Sequence, residues 1–182
     1  SPIKTKLDSW YKTNLTSYND KLADETFCSD RGIASGSGYL TTPITIYGAY
    51  TRLQDRKTPS LKCSQNNDKF KMSNESAKLD YPVGLILADE VALAGGIAYY
   101  NGAYSPNSNY YLYNGNYFWT LSPYNFASSY SDADVWSVLP SGSLNPWDDV
   151  TSSLGVRPVI NLKANTLVTK GDGSSINPFV VS

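Results

Sequence analysis

The chain has 182 residues, 17% charged and 13% aromatic, with no histidine, two cysteines and a net charge of −1. That length suits one domain with an extension, and the 41% hydrophobic content argues against disorder. The charge balance leaves no electrostatic footprint for nucleic acid or an anionic membrane, and the missing histidine removes the usual general base and every Ser-His or Cys-His nucleophile pair.

The sequence opens Ser1-Pro2 without methionine, which points to a processed product and confines any membrane tie to a missing N-terminal segment. No run approaches the roughly 18 apolar residues that span a bilayer. In residues 3–22, Ile3, Leu7, Trp10, Tyr11, Leu15, Tyr18 and Leu22 recur at steps of three and four. That spacing draws an apolar stripe on a helix of about five turns docked on the core. Residues 1–24 are therefore read as a packed helix, and residues 25–182 as the binding domain. Cys28 and Cys63 have neither zinc nor C-x-x-C spacing, so they are one disulfide or two buried thiols. The Ser/Asn-rich surroundings favour the disulfide and an extracellular compartment, and closing that loop contributes about 3.5 kcal/mol by chain entropy.

Ile44-Thr45-Ile46-Tyr47 alternates like a strand, and residues 62–78 read as a polar surface excursion. Residues 81–87 form a short buried strand. Residues 88–94 follow as a short helix with Asp89 and Glu90 in the first turn, where the helix dipole favours acids, and Gly95-Gly96 closes it. Beyond it, residues 110–113 and 117–121 flank Asn114-Gly115, a hairpin signal. Residues 135–139, 156–162, 167–169 and 179–181 are further short strands, with Gly171-Asp172-Gly173 as a turn between the last two. Helices in the first half and strands with loops in the second give an α+β chain.

Residues 91–131 contain no Asp, Glu, Lys or Arg but hold nine of the fifteen tyrosines, with Phe118, Trp119 and Phe126. Asparagines and serines recur too often for a membrane segment, and so many amides and hydroxyls need partners in a core. Uncharged surface rich in tyrosine, Ser, Gly and Asn has the chemistry of paratopes, and aromatic faces beside amides also suit carbohydrate. Strand alternation alone would put half of residues 110–119 inward as core. Residues 121–130 read as a long polar loop. Residues 144–149 place Trp147 in a second loop, as a core plug or a binding anchor.

Paired acids occur at Asp89-Glu90, Asp132/Asp134 and Asp148-Asp149, but neighbours on one element point apart, against the opposed geometry of a glycosidase. Asp148 and Asp149 are the hydrolase candidates, and Asp172 reads as a turn residue. No P-loop, G-x-G-x-x-G or HExxH motif occurs. The expectation is a non-enzyme without catalytic residues, metal or cofactor.

Tyr117-Phe118-Trp119-Thr120-Leu121-Ser122-Pro123, followed by Gly155-Val156-Arg157-Pro158-Val159-Ile160-Asn161-Leu162-Lys163, resembles the C-terminal domain of a family of bacterial surface and pilin-like proteins. There a W-x-L-S-P-like strand precedes a G-V-R-P-V-I strand. Residues 81–96 and the closing Gly171-Asp172-Gly173 with Asn177-Pro178-Phe179 fit the same family. More distantly, the pattern is similar to the C-type-lectin-like fold of the formylglycine-generating-enzyme superfamily. It is similar in the same way to the variable proteins of diversity-generating retroelements, whose binding residues lie between the last two motifs, here residues 124–154.

The resemblance implies two helices, a small antiparallel sheet and long C-terminal loops, with Trp119 structural. It also implies a structural Arg157 that bonds loop carbonyls or an acid such as Asp134 or Asp149. The superfamily's late cysteine pair is missing, so its activity is not carried over, and residues 145–149 only faintly echo calcium-lectin motifs. The expected ligand surface is Tyr124, Asn125, Phe126, Tyr130, Trp136, Asn145 and Trp147. Its ligand would be a protein or carbohydrate on a host or neighbouring cell, with the protein at the bacterial surface or on a pilus. The alternative is a structural pilin-like subunit whose aromatic face packs other pilus subunits.

Overall fold

The computed structural model describes residues 1–38, 44–127, 132–174 and 176–182. In chain order the elements are α1 (Pro2–Asn14), β1 (Phe27–Cys28), β2 (Ile33–Ser35), β3 (Thr45–Tyr47) and α2 (Gly48–Tyr50), which continues as a π-helical turn over Thr51–Asp55. They are followed by β4 (Lys69–Phe70), α3 (Ala88–Ala94), β5 (Phe118–Ala127), β6 (Asp132–Val138), β7 (Leu144–Asp149), β8 (Val168–Lys170) and β9 (Val180–Val181). The fold is α+β, with a five-stranded antiparallel sheet in the order β2-β3-β5-β6-β7 and two-stranded pairs β1-β4 and β8-β9.

At the start of α1 the Ser1 hydroxyl accepts the Lys4 N–H, and Pro2 occupies the first turn, where its missing donor costs nothing. The expected five-turn helix stops at Asn14 and gives way to a 3-10 turn over Thr16–Tyr18. The Asn14 amide and Thr16 hydroxyl donate to the Trp10 and Lys12 carbonyls, local bonds that compete with further helix. Leu7 and Tyr11 are buried, whereas Trp10 and Tyr18 on the same stripe stay exposed.

Helix α3 occupies the expected residues. Gly95 ends it at φ 121°, and the Glu90 carboxylate accepts the Leu87 N–H at 2.7 Å. Asp89 is fully buried and takes a bidentate ion pair from Arg52, at 2.7 and 2.8 Å, together with the Ser60 N–H at 2.7 Å. Arg52 also bonds Asp30, so α2 and α3 are clamped together. Cys28 and Cys63 form a disulfide with their Cα atoms 5.8 Å apart.

The sheet separates two apolar clusters, and β5 feeds both in alternation. Phe118 and Tyr124 pack with Trp136, Val138, Leu144, Val91 and Leu53 on one face. Trp119 and Leu121 pack with Leu7, Tyr11, Leu22, Val83 and Leu85 on the other, beneath α1. A sheet covered on both faces explains why every residue of β5 is buried or half-buried.

Four expectations are corrected. Residues 121–127, read as a loop from their proline and polar content, belong to strand β5. Between Trp119 and Asn125 its pairing with β6 shifts register on either side of Pro123, a bulge that accommodates a residue with no N–H to donate. Residues 144–149, likewise read as a loop, form strand β7, where Pro146 is tolerated at the sheet edge and three residue steps oppose two on β6. The hairpin expected around Asn114-Gly115 is not formed: Tyr110 is buried, its hydroxyl donates to the Gly142 carbonyl at 2.8 Å, and residues 110–117 are loop. Residues 81–87 and 156–162 are not regular strands but buried or half-buried chain joined by single bridges such as Gly84–Val159. A Cβ on Gly84 would lie 2.4 Å from the Phe27 ring, so glycine permits this close approach.

Candidate functional site

Between α2 with its π-turn, the loop of residues 99–101, β5 and β7 lies a concavity of about 480 Å³. That volume is within the range of small-ligand sites. Tyr50 and Gln54, at helical i, i+4 spacing, and Asp55 form one wall. Tyr99, Tyr100 and Asn101 form the second, and Tyr124 of β5 with Trp147 of β7 complete it. The buried Gln54 amide donates to the Tyr99 carbonyl at 2.7 Å and ties the loop to the helix. Asn101 has φ 47°, a left-handed turn position that asparagine tolerates before Gly102.

The rings form two contacting groups. Tyr50 lies 5.8 Å from Tyr124, and Trp147 meets Tyr99 edge-on at 4.3 Å, while Tyr99 meets Tyr104 at 4.8 Å. The Tyr104 hydroxyl donates to Asn145 Oδ1 at 2.7 Å, and Asn145 Nδ2 donates to Asp148 at 2.7 Å. Such edge-on and tilted contacts fix ring orientation while leaving the Trp147 indole 46% exposed.

Burial, followed by the Asp55 carboxylate, raises the Tyr50 phenol, and burial raises those of Tyr104 and Tyr124. All three remain neutral hydroxyls at physiological pH. Among the described residues Asp55 is the one acid lining the cleft, so no carboxylate pair faces into it. The groups it presents are ring faces and edges, neutral hydroxyls, amides and one carboxylate.

The expected surface residues divide. Tyr124 and Trp147 line the cleft together. Trp136 does not: it is fully buried, T-shaped against Tyr124 at 5.7 Å, because β6 turns it into the core rather than onto a loop. Among the described residues its indole N–H has no hydrogen-bond partner. Asn145 is buried behind Tyr104 and acts as its support. Asn125 and Phe126 lie along β5, paired with Ile46 and Thr45 of β3, and Asn125 donates to Asp134 at 2.9 Å. Tyr130 falls outside the described residues. Trp119 is buried beneath α1, and Arg157 donates to the Leu112 carbonyl and lies 5.3 Å over the Phe118 ring.

Tyr50, Gln54, Asp55, Tyr99, Tyr100 and Asn101 were not singled out from sequence. The signal for Tyr99-Tyr100-Asn101-Gly102 was present in the uncharged segment, whereas nothing local distinguishes Tyr50 and Gln54. The hydrolase candidate Asp148 is engaged by the Ser137 hydroxyl and by Asn145. Carboxylate oxygens of Asp132, Asp134 and Asp149 lie within 4.8 Å of one another. Burial, then Asp132, pushes the Asp134 carboxyl up, while hydrogen bonds from Thr151 hold that of Asp149 down.

Comparison of the chain with family models, curated proteins and solved structures returns no match.

Proposed function

We propose that this chain is an extracellular, non-enzymatic ligand-binding domain of a bacterial surface or pilus-like protein. We place its C-type-lectin-like fold and its adhesive role together, with the ligand seated in the cleft of Tyr50, Tyr99, Tyr100, Tyr124 and Trp147. One observation carries the reading: an indole that is 46% exposed is held among neutral phenols on the wall of a 480 Å³ cleft. Aromatic anchors of this kind dominate binding energy when a ligand covers them. The Cys28–Cys63 disulfide fits an oxidising compartment, and no helix among the described residues is long and apolar enough to cross a membrane.

The test is a screen of the protein on glycan and protein arrays, followed by the Trp147→Ala and Tyr99→Ala variants. Both variants are expected to melt normally and lose the ligand. Retained binding would contradict the reading.

A second reading, a structural subunit, has its own observation. The β8–β9 hairpin region exposes Leu167 by 66%, Phe179 by 57% and Ile176 by 94%, apolar surface suited to packing a neighbouring subunit. Concentration-dependent assembly that is abolished by Phe179→Ser would favour it.

A further inference from the structure

Among the residues lining the cleft, Asp55 is the one with a charged side chain. Lys57 lines an adjoining hollow of about 310 Å³ rather than the cleft. Its ammonium lies 4.0 Å from the centroid of Tyr100, so a ring of this same wall already holds a cation against its π-face. An anionic ligand would meet the like charge of Asp55. A neutral ligand would cover Asp55 without neutralising it, at a desolvation cost.

We propose that the group seated in the cleft is an organic cation, an alkylated or primary ammonium, packed on Trp147, Tyr99 and Tyr124 with Asp55 as its counter-charge. The proposal rests on the reading that this cleft is the ligand site. Either cation gains the negative faces of several rings, as in the aromatic sites that recognise quaternary ammonium, and an alkylated ammonium, being weakly hydrated, gives up less water on entering than a primary one. Asp55 is exposed, so it attracts the cation without carrying the penalty of a buried unpaired carboxylate.

Calorimetric titration of the whole chain compares four probes: choline, its neutral isostere with carbon in place of nitrogen, Nα-acetyl-lysine amide and a methyl glucoside. Choline or the lysine amide is expected to bind at least about tenfold tighter than the neutral isostere, the discrimination that ring–cation contacts supply. The tighter of the two cations identifies the source as a quaternary headgroup or a side chain. Asp55→Asn and Trp147→Ala, both at exposed positions, are each expected to weaken the cation while leaving the melting temperature unchanged, and the cation should displace the array ligand. Equal affinity for the isostere would overturn the inference and leave the cleft reading intact. So would glucoside binding without cation binding. If Trp147→Ala left array binding untouched, the cleft reading itself would fail, and the inference with it.

Discussion

Replacing Asp89 with asparagine tests how one wall of the cleft is held. The Asp89 side chain is fully buried at the start of α3 and accepts Arg52 Nε at 2.7 Å, Arg52 Nη2 at 2.8 Å and the Ser60 N–H at 2.7 Å. Arg52 lies in the turn between Tyr50 and Asp55, so this pair fixes the helical wall against the core. A carboxylate matches the guanidinium fork with two oxygens, whereas an amide offers one acceptor and points its own donors at a donor. Removing one member of a buried pair costs about 3–5 kcal/mol. Arg52 keeps Asp30 and its side chain is 23% exposed, which places the expected loss near the low end, about 3 kcal/mol. For a domain of this size that corresponds to a fall of roughly 6–12 °C in melting temperature. Urea denaturation with an unchanged m-value reads the loss directly. A double-mutant cycle with Arg52→Gln should show coupling above about 1 kcal/mol. A loss below about 1 kcal/mol, or no coupling, would refute the claim that a desolvated pair holds this wall.

Three further outcomes are expected. Replacing both Cys28 and Cys63 by serine should cost about 3.5 kcal/mol by chain entropy, read by denaturant melts against the oxidised protein. Trp136→Ala should cost about 3–5 kcal/mol by opening a core cavity. Trp136→Phe should cost much less, because the indole N–H it removes has no partner among the described residues. Asp134, raised by burial and then by Asp132, with Asp149 and Asp148 adding to the rise, binds a proton more readily folded than unfolded. Its charge therefore costs stability at neutral pH, and that cost is relieved as pH falls through the raised value toward the ordinary carboxylate range. Asp134→Asn should match or exceed the parent at neutral pH, with the difference shrinking on acidification; a parent more stable than the variant at neutral pH would contradict this.

Local chemistry was legible where one element carries its own signals. Ala88 to Gly96 combines an acidic first turn with closing glycines, and α3 lies where that pattern puts it. The alternation of residues 44–47 likewise matches β3. The pattern misled where long-range contacts decide. Asn114-Gly115 has hairpin chemistry, but Tyr110 is held by Gly142, far along the chain, and Phe118 and Trp119 pair with β6 instead. Pro123 reads as a strand breaker, and only the bulge opposite β6 explains its place in a central strand.

The same division applies to the cleft. Gathered tyrosines and a loop-like tryptophan pointed to Tyr124 and Trp147. Trp136, in similar company, is core because strand parity turns it inward. Tyr50 joins the cleft through α2, remote in sequence, and no residue near it announces that contact.

The central claim is that the exposed indole of Trp147 anchors a ligand rather than supporting the fold. The most direct measurement is array binding and melting temperature of Trp147→Ala beside the parent protein. Binding is expected to be lost while stability changes by less than about 1 kcal/mol, as befits a half-exposed side chain. Binding that survives the substitution, or a domain that unfolds because of it, would contradict the account.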